Sequence, residues 1–313
     1  MASFREWWLP DDVGSSTAVT GSVITQSHPD RIRLALPNKG RLSQPAVALL
    51  TEAGFGFESD ERRLFASCFN YPLDLLFMRA EDVPEYTQDG VVDLGITGSN
   101  LLTESGARVD RWLDLGFGRC RLQVAVPSSG TWASVEELAG HLVATSHPRS
   151  TAAFFAERQI EIQLIEIRGA VEITPLLGVA DAIVDLVSTG STLATNGLRP
   201  LDTILESEAA LVARKELQPE RRQLADHVRM VLASVIAARD RKYLMLNAPE
   251  SAVTAIRALL PGMGSPSVLR LADPAMVAVH AVVDATAIWG LLSPLRQLGA
   301  SSILVLPIEK LIP

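Results

Sequence analysis

From Arg31 onward, near-continuous apolar runs alternate with stretches of helical periodicity, and that alternation restricts the chain to few folds. RIRLALP (31–37), LDLLFMR (73–79), VVDLGIT (91–97), HLVATS (141–146), IQLIEI (162–167) and DAIVDLVS (181–188) read as strands buried on both faces. Helical stretches lie between them at 43–54, with Ser43 as N-cap, at 151–159 and at 171–177. Strands alternating with helices predict doubly wound α/β lobes with parallel sheets covered on both faces. Such sheets bind ligands outside the carboxyl ends of their strands. Three of these ends carry glycine and polar side chains, NKGR (38–41), TGSN (97–100) and STGST (188–192), which points to one shared site.

After Glu216 the pattern changes. Leu224, Val228, Val231 and Val235 recur at helical spacing, one face of a long helix from Pro219 to Arg241. The tail then reads strand (242–247), helix (249–260), strand (267–271), strand (276–284), helix (285–298, kinked by Pro294) and strand (301–307). That order, βαββαβ, is ferredoxin-like. The expected organisation is an N-terminal extension (1–30, partly disordered), lobe I (31–121 plus about 205–220), lobe II (122–204), a linker helix (221–241) and a small regulatory domain (242–313).

Composition narrows the function. A net charge of −8 argues against a general nucleic-acid binder, which needs surplus Lys and Arg, but leaves room for a local basic pocket. Cys68 and Cys120 are too few for a disulfide framework and have no metal-ligand spacing, so a reducing, cytoplasmic setting is expected. No apolar run approaches the roughly 20 residues that span a bilayer. The first 30 residues lack both the apolar core of a signal peptide and the arginines of a transit peptide. No GxxxxGK[ST], GxSxG or HExxH motif occurs, and His280 in a strand reads as structural.

The strongest local signal is DAIVDLVSTGSTL (181–193). A buried strand runs into Ser188, Thr189, Gly190, Ser191 and Thr192, where a helix can begin. Glycine lets backbone N–H groups approach an anion, and hydroxyls add donors, which suits a phosphate monoester. An N-capping turn without ligand would use the same residues. Asp181 and Asp185 share a strand face, and Asp185 lies within the apolar run IVDLV, where an unpaired carboxylate is costly. It is placed to accept ribose hydroxyls, or else is satisfied by backbone N–H groups. Lys39 and Arg41 flank Gly40 beyond the first strand, and Arg62 and Arg63 form a second basic pair. Together they suit a polyphosphate; singly they read as solvated surface charge.

Taken together, ALPNKGRL, DGVVDLGITGSN, GRCRL, the block 168–198 and the tail segments RKYLMLNAP, LLPGMGSPS and LGASSILVLPIEKL resemble the long form of ATP phosphoribosyltransferase. The resemblance runs from about Arg31 to the C-terminus. It implies two lobes like those of periplasmic binding proteins, a C-terminal ACT/PII-like domain, and the first reaction of histidine biosynthesis. In that reaction ATP and 5-phosphoribosyl-1-pyrophosphate give N1-(5-phosphoribosyl)-ATP and pyrophosphate, with Mg²⁺. It further implies Ser188–Thr192 on the 5′-phosphate, Asp181, Asp185 and Glu172 at the ribose, and Arg41 with Arg62 or Arg63 as catalytic cations. Lys39, Gly40, Arg41, Asp93, Thr97 and Gly98 would hold ATP. Asn247, Met263, Ser265, Ser267, Ala300 and Ser302 would surround L-histidine as feedback effector in a homo-oligomer, a hexamer. A departure falls at His147, where tyrosine is common. A non-catalytic two-lobed binding or regulatory protein is the alternative.

Overall fold

The computed structural model describes residues 30–58, 64–260 and 264–312. The expected N-terminal extension, apart from Asp30, lies outside the described residues, as do Arg62, Arg63 and Met263. Lobe I contains β1 (Ile32–Pro37), α1 (Ser43–Ala53), β2 (Phe65–Ser67), β3 (Leu73–Met78), α2 (Val83–Gln88), β4 (Leu94–Gly98), α3 (Ser99–Ser105) and β5 (Asp110–Asp114). Lobe II contains β6 (Cys120–Pro127), β7 (Leu142–Thr145), α4 (Pro148–Glu157), β8 (Gln163–Glu166), β9 (Ala182–Val187), α5 (Ser191–Thr195) and β10 (Leu198–Ser207). The chain returns to lobe I as β11 (Ala209–Ala213) and continues as α6 (Pro219–Arg239). The lobe boundaries thus fall before β6 and after β10, two or three residues from the expected positions.

The strands expected to form parallel sheets lie in mixed ones. In lobe I the order is β2-β3-β1-β4-β11-β5, with β1 parallel to β3 and β4 and with β11 antiparallel to both its neighbours. In lobe II the order is β10-β6-β9-β7-β8, with β7 parallel to β8 and β9 while β6 runs antiparallel. Among the antiparallel strands, β6 and β11 are the ones that enter each lobe from the other, while β2 runs antiparallel to β3 at the lobe I edge. The expected helix at 171–177 is only a 3₁₀ turn, Val171–Ile173, followed by further turns. Ser43 is the first residue of α1 rather than its cap, and Gly54 (φ 93°) ends that helix by donating to the carbonyls of Leu50 and Thr51.

Leu34, Leu36, Leu49, Leu50 and Leu73 are fully buried on one face of the lobe I sheet, beneath α1 and α6. Each such side chain contributes about 1.5–3 kcal/mol relative to exposure. The residues of α6 buried in this core are Ala225, Val228, Leu232 and Val235, with the expected Leu224 and Val231 flanking the stripe. Ala35, Val83, Val92 and Val212 pack on the opposite face. The tail forms β12 (Arg241–Pro249), α7 (Val253–Leu259), β13 (Ser267–Arg270), β14 (Met276–Asp284), α8 (Ile288–Gln297) and β15 (Ser301–Pro307). Its antiparallel order β13-β14-β12-β15 is ferredoxin-like, and α8 continues through Pro294.

One buried ion pair ties α6 to the lobe I sheet. Arg221 Nε lies 2.9 Å from Asp93 Oδ1, and the backbone N–H of Arg33 donates to Asp93 Oδ2 at 2.8 Å. Asp93 is buried (3% exposed), so removing its cation leaves an uncompensated charge. Arg221→Ala should therefore lower stability by about 3 kcal/mol. Chemical denaturation checks this, and a loss comparable to that of an exposed arginine would contradict it.

Candidate active site

β9 buries Ala182, Ile183 and Val184 and delivers its carboxyl end to the turn Ser188-Thr189-Gly190. α5 follows at once, anchored by buried Leu193. Gly190 has φ 80°, and no atom lies within 4 Å of where a Cβ would sit, so the backbone conformation rather than lack of space requires glycine. Ser188, Thr189, Ser191 and Thr192 are exposed, and the Thr189 and Ser191 hydroxyls are 2.9 Å apart. This turn presents hydroxyls and unpaired helix-start amides outward, the donor set an anion needs.

Asp185 is mostly buried just before that turn. Burial raises its carboxyl above the ordinary range and the neighbouring Glu172 raises it further, against a lowering hydrogen bond from the Leu186 N–H at 2.8 Å. Glu172 is thus near enough for its charge to act on Asp185, just before the turn. Asp181 does not join them. It precedes β9, at the opposite end of the strand, where Oδ2 accepts from the Leu142 N–H (3.0 Å) and lies 3.2 Å from His141 Nδ1. Four residues of strand separate it from Asp185 by about 13 Å.

In lobe I, Lys39, Gly40 and Arg41 form the exposed turn after β1, and Gly40 has φ 80°. Thr97 and Gly98 close β4 at the same edge, but both are buried, and the Thr97 hydroxyl donates to the Ala80 carbonyl (2.7 Å). Thr97 therefore acts through packing. Asp93 lies at the opposite end of β4, occupied by Arg221 and the Arg33 amide. The family resemblance groups it with the site, but in the fold it stands at the far end of the strand.

A cavity of about 530 Å³ lies where the lobes meet, lined by Ser99, Arg111, Arg119, Cys120, Arg121, Ser188, Glu206, Ser207 and Glu208. Of the expected residues only Ser188 reaches it. Arg121 pairs with Glu206 (3.2 Å) and Arg119 with Glu208 (3.5 Å). Neither arginine is assigned a role from the sequence; Arg121 lies on β6 and Arg119 just precedes it. Nearby, Asn100 Nδ2 lies 3.0 Å from His147 Nε2. Ser207 donates to Asn100 Oδ1 (2.8 Å), which leaves the amide nitrogen facing the ring. Burial pulls the His147 pKa below 6.5; Arg41 lowers it further, while Glu104 and Glu81 pull it up.

Both cysteines are buried, and burial pushes the Cys68 thiol up to about 11, away from thiolate chemistry. In the C-terminal domain Ser267 is on edge strand β13, whereas Ala300 immediately precedes the opposite edge strand β15 and Ser302 lies on it, with Asn247 beside it on β12. Three strand spacings, about 14 Å, separate the two groups. Ser265 lines a separate cavity of about 370 Å³ with Thr254 and Arg257.

The fold is that of two α/β lobes, each with its own mixed sheet, followed by an appended ferredoxin-like domain. The ATP phosphoribosyltransferase family model matches residues 79–234, and the model described as HisG, C-terminal domain, matches 238–310. ATP phosphoribosyltransferase of Methanosarcina barkeri is 42% identical over 289 residues, covering 90% of this chain and 100% of that protein. That of Gemmatimonas aurantiaca is 44% identical over 291 residues, with the same coverages. Among solved structures, the ATP phosphoribosyl transferase (HisG:HisZ) complex from Thermotoga maritima aligns with a TM-score of 0.58 at 26% identity, over 66% of this chain and 98% of that one. The chain belongs to the ATP phosphoribosyltransferase family, whose role is the first step of histidine biosynthesis.

Because Asp185 is raised, the folded protein holds that proton more readily than the unfolded chain. Its contribution to stability is therefore greatest below the unfolded value and falls as pH rises through the raised folded value. Asp185→Asn should raise stability near neutrality by about 1 kcal/mol and flatten this part of the pH profile. Thermal melts across pH 4 to 8 check it, and a lower melting temperature in the variant would count against the assignment.

Proposed function

We propose that this chain transfers the phosphoribosyl group of 5-phosphoribosyl-1-pyrophosphate to N1 of ATP and releases pyrophosphate. The observation that carries this reading is the outward-facing turn Ser188–Thr192 with Asp185 and Glu172 beside it. Hydroxyls and helix-start amides suit the 5′-phosphate, and two carboxylates suit the ribose hydroxyls. Adenine N1 carries its own lone pair, so attack at C1′ needs no strong general base. The barrier lies in separating the ribose from pyrophosphate as positive charge grows at C1′. Asp185 and Glu172 oppose that positive charge, and Arg41 with Lys39 meets the negative charge leaving on pyrophosphate.

Mg²⁺ fits this donor set. Among the described residues no group of three or more His, Cys, Asp or Glu could hold a metal alone. Magnesium is usually held by one or two carboxylates together with substrate phosphates. Asp185 and Glu172 are the pair that would hold it, and it would supply charge neutralisation on the leaving group.

L-histidine as effector and a homo-oligomer, a hexamer, complete the reading. Ser267 and the Ala300–Ser302 group stand at opposite sheet edges, so a pocket drawing on both must join two chains. That supports an effector site at a subunit contact. No helix of the described residues is long and apolar enough to cross a membrane, and cytoplasmic residence is proposed with the biosynthetic role. The test mixes protein, ATP, 5-phosphoribosyl-1-pyrophosphate and Mg²⁺ and follows the N1-substituted adenine by ultraviolet absorbance. Arg41→Ala should lower kcat about 100-fold while changing pyrophosphate-substrate affinity little. Wild type that forms no adduct, or an Arg41 variant of full activity, would overturn the respective claim.

A further inference from the structure

The ends of two helices from different lobes meet beside the cleft and satisfy one another. α3 belongs to lobe I, and its Glu104 reaches the start of α4 in lobe II. Glu104 Oε1 accepts from the Arg149 N–H (2.8 Å), and Oε2 accepts from the Ser150 N–H (2.9 Å) and hydroxyl (2.7 Å). In return Arg149 Nη1 donates to the Ser105 carbonyl at the C-terminus of α3 (3.1 Å). Its guanidinium lies over Gly106, where a Cβ would sit 1.8 Å from Nη1. A carboxylate at a helix N-terminus and a guanidinium at a helix C-terminus each oppose the local dipole. Here both caps are supplied across the lobe boundary, and the buried Asn100–His147 bond stands beside them.

We propose that this reciprocal cap fixes the orientation of the lobes and that Glu104 is a positioning residue for phosphoribosyl transfer. α3 starts directly after β4 and carries Glu104 near its far end, whereas α4 starts close after β7, so the clamp joins the outer end of the helix that follows β4 to the carboxyl end of β7. Arg41 ends the neighbouring β1 turn, close enough for its charge to act on His147. The Ser188–Thr192 turn ends β9, the neighbour of β7. The clamp thus sets the span between the leaving-group cation of lobe I and the phosphate turn of lobe II. A displacement of about 1 Å between such groups can cost 100-fold in rate. Ground-state binding of the ribose phosphate, which uses lobe II alone, is not affected. The inference rests on the proposed transferase reading.

The experiment compares wild type, Glu104→Ala and Glu104→Gln as full-length proteins. Expected are a fall in kcat of at least tenfold for Glu104→Ala, a smaller fall for Glu104→Gln, which keeps one acceptor, and 5-phosphoribosyl-1-pyrophosphate affinity within about threefold by calorimetry. Hydrogen exchange at the Arg149 and Ser150 amides should quicken at least tenfold in Glu104→Ala. If Glu104→Ala does not fold, Glu104→Gln is judged by the same criteria. Unchanged kcat in a folded variant, or affinity falling in step with kcat, would overturn the proposal. An inactive wild type would sink the transferase reading instead, and unchanged amide exchange would then sink the clamp on its own.

Discussion

β11 is buried along its whole length and pairs with β4 on one side and β5 on the other. The lobe I sheet is therefore completed only by chain that has already passed through lobe II. Buried strands cannot leave their amides unpaired without a cost of several kcal/mol. Lobe I and lobe II must consequently close together, and the two crossings, into β6 and out of β10, lie side by side. They pair over Cys120–Pro127 and Leu198–Ser207, so the chain enters and leaves lobe II along adjacent strands.

The chemistry of the cleft follows from what each strand end can offer. β9 ends in a turn with a left-handed glycine, exposed hydroxyls and a partly buried carboxylate whose proton affinity is raised. Such a carboxylate destabilises the fold when charged and persists where a ligand compensates it, the usual signature of a working site. β1 ends in cations exposed to solvent. Neither turn, 38–41 or 188–192, contains a cysteine or a histidine, and burial pulls the pKa of nearby His147 down. The geometry favours electrostatic stabilisation over proton transfer, which matches a reaction whose nucleophile needs no base.

Much of the fold was legible because β1, β3 and β9 are near-continuous apolar runs and α6 keeps helical spacing over the three turns from Leu224 to Val235. β10 was not, because Pro200 and Asp202 break its pattern. It is an edge strand with register shifts at those residues, where a proline is tolerated. β11 is five small and apolar residues whose meaning depends wholly on its neighbours. The phosphate turn and Asp185 were visible as local chemistry. Asp181 and Asp93 stand at the far ends of their strands: spacing assigns Asp181 a strand face but not an end, and Asp93 was implied only by the family resemblance. Glu104 left no local signal, since its partners are 45 and 46 residues away in sequence.

The central claim is that both lobes bind one ligand pair at adjoining strand ends. Amide exchange with and without 5-phosphoribosyl-1-pyrophosphate, ATP and Mg²⁺ tests it most directly. The account expects slowed exchange at residues 188–192 of lobe II and at 39–41 of lobe I when all three are present. Protection confined to one lobe, or found only around the C-terminal domain, would contradict it.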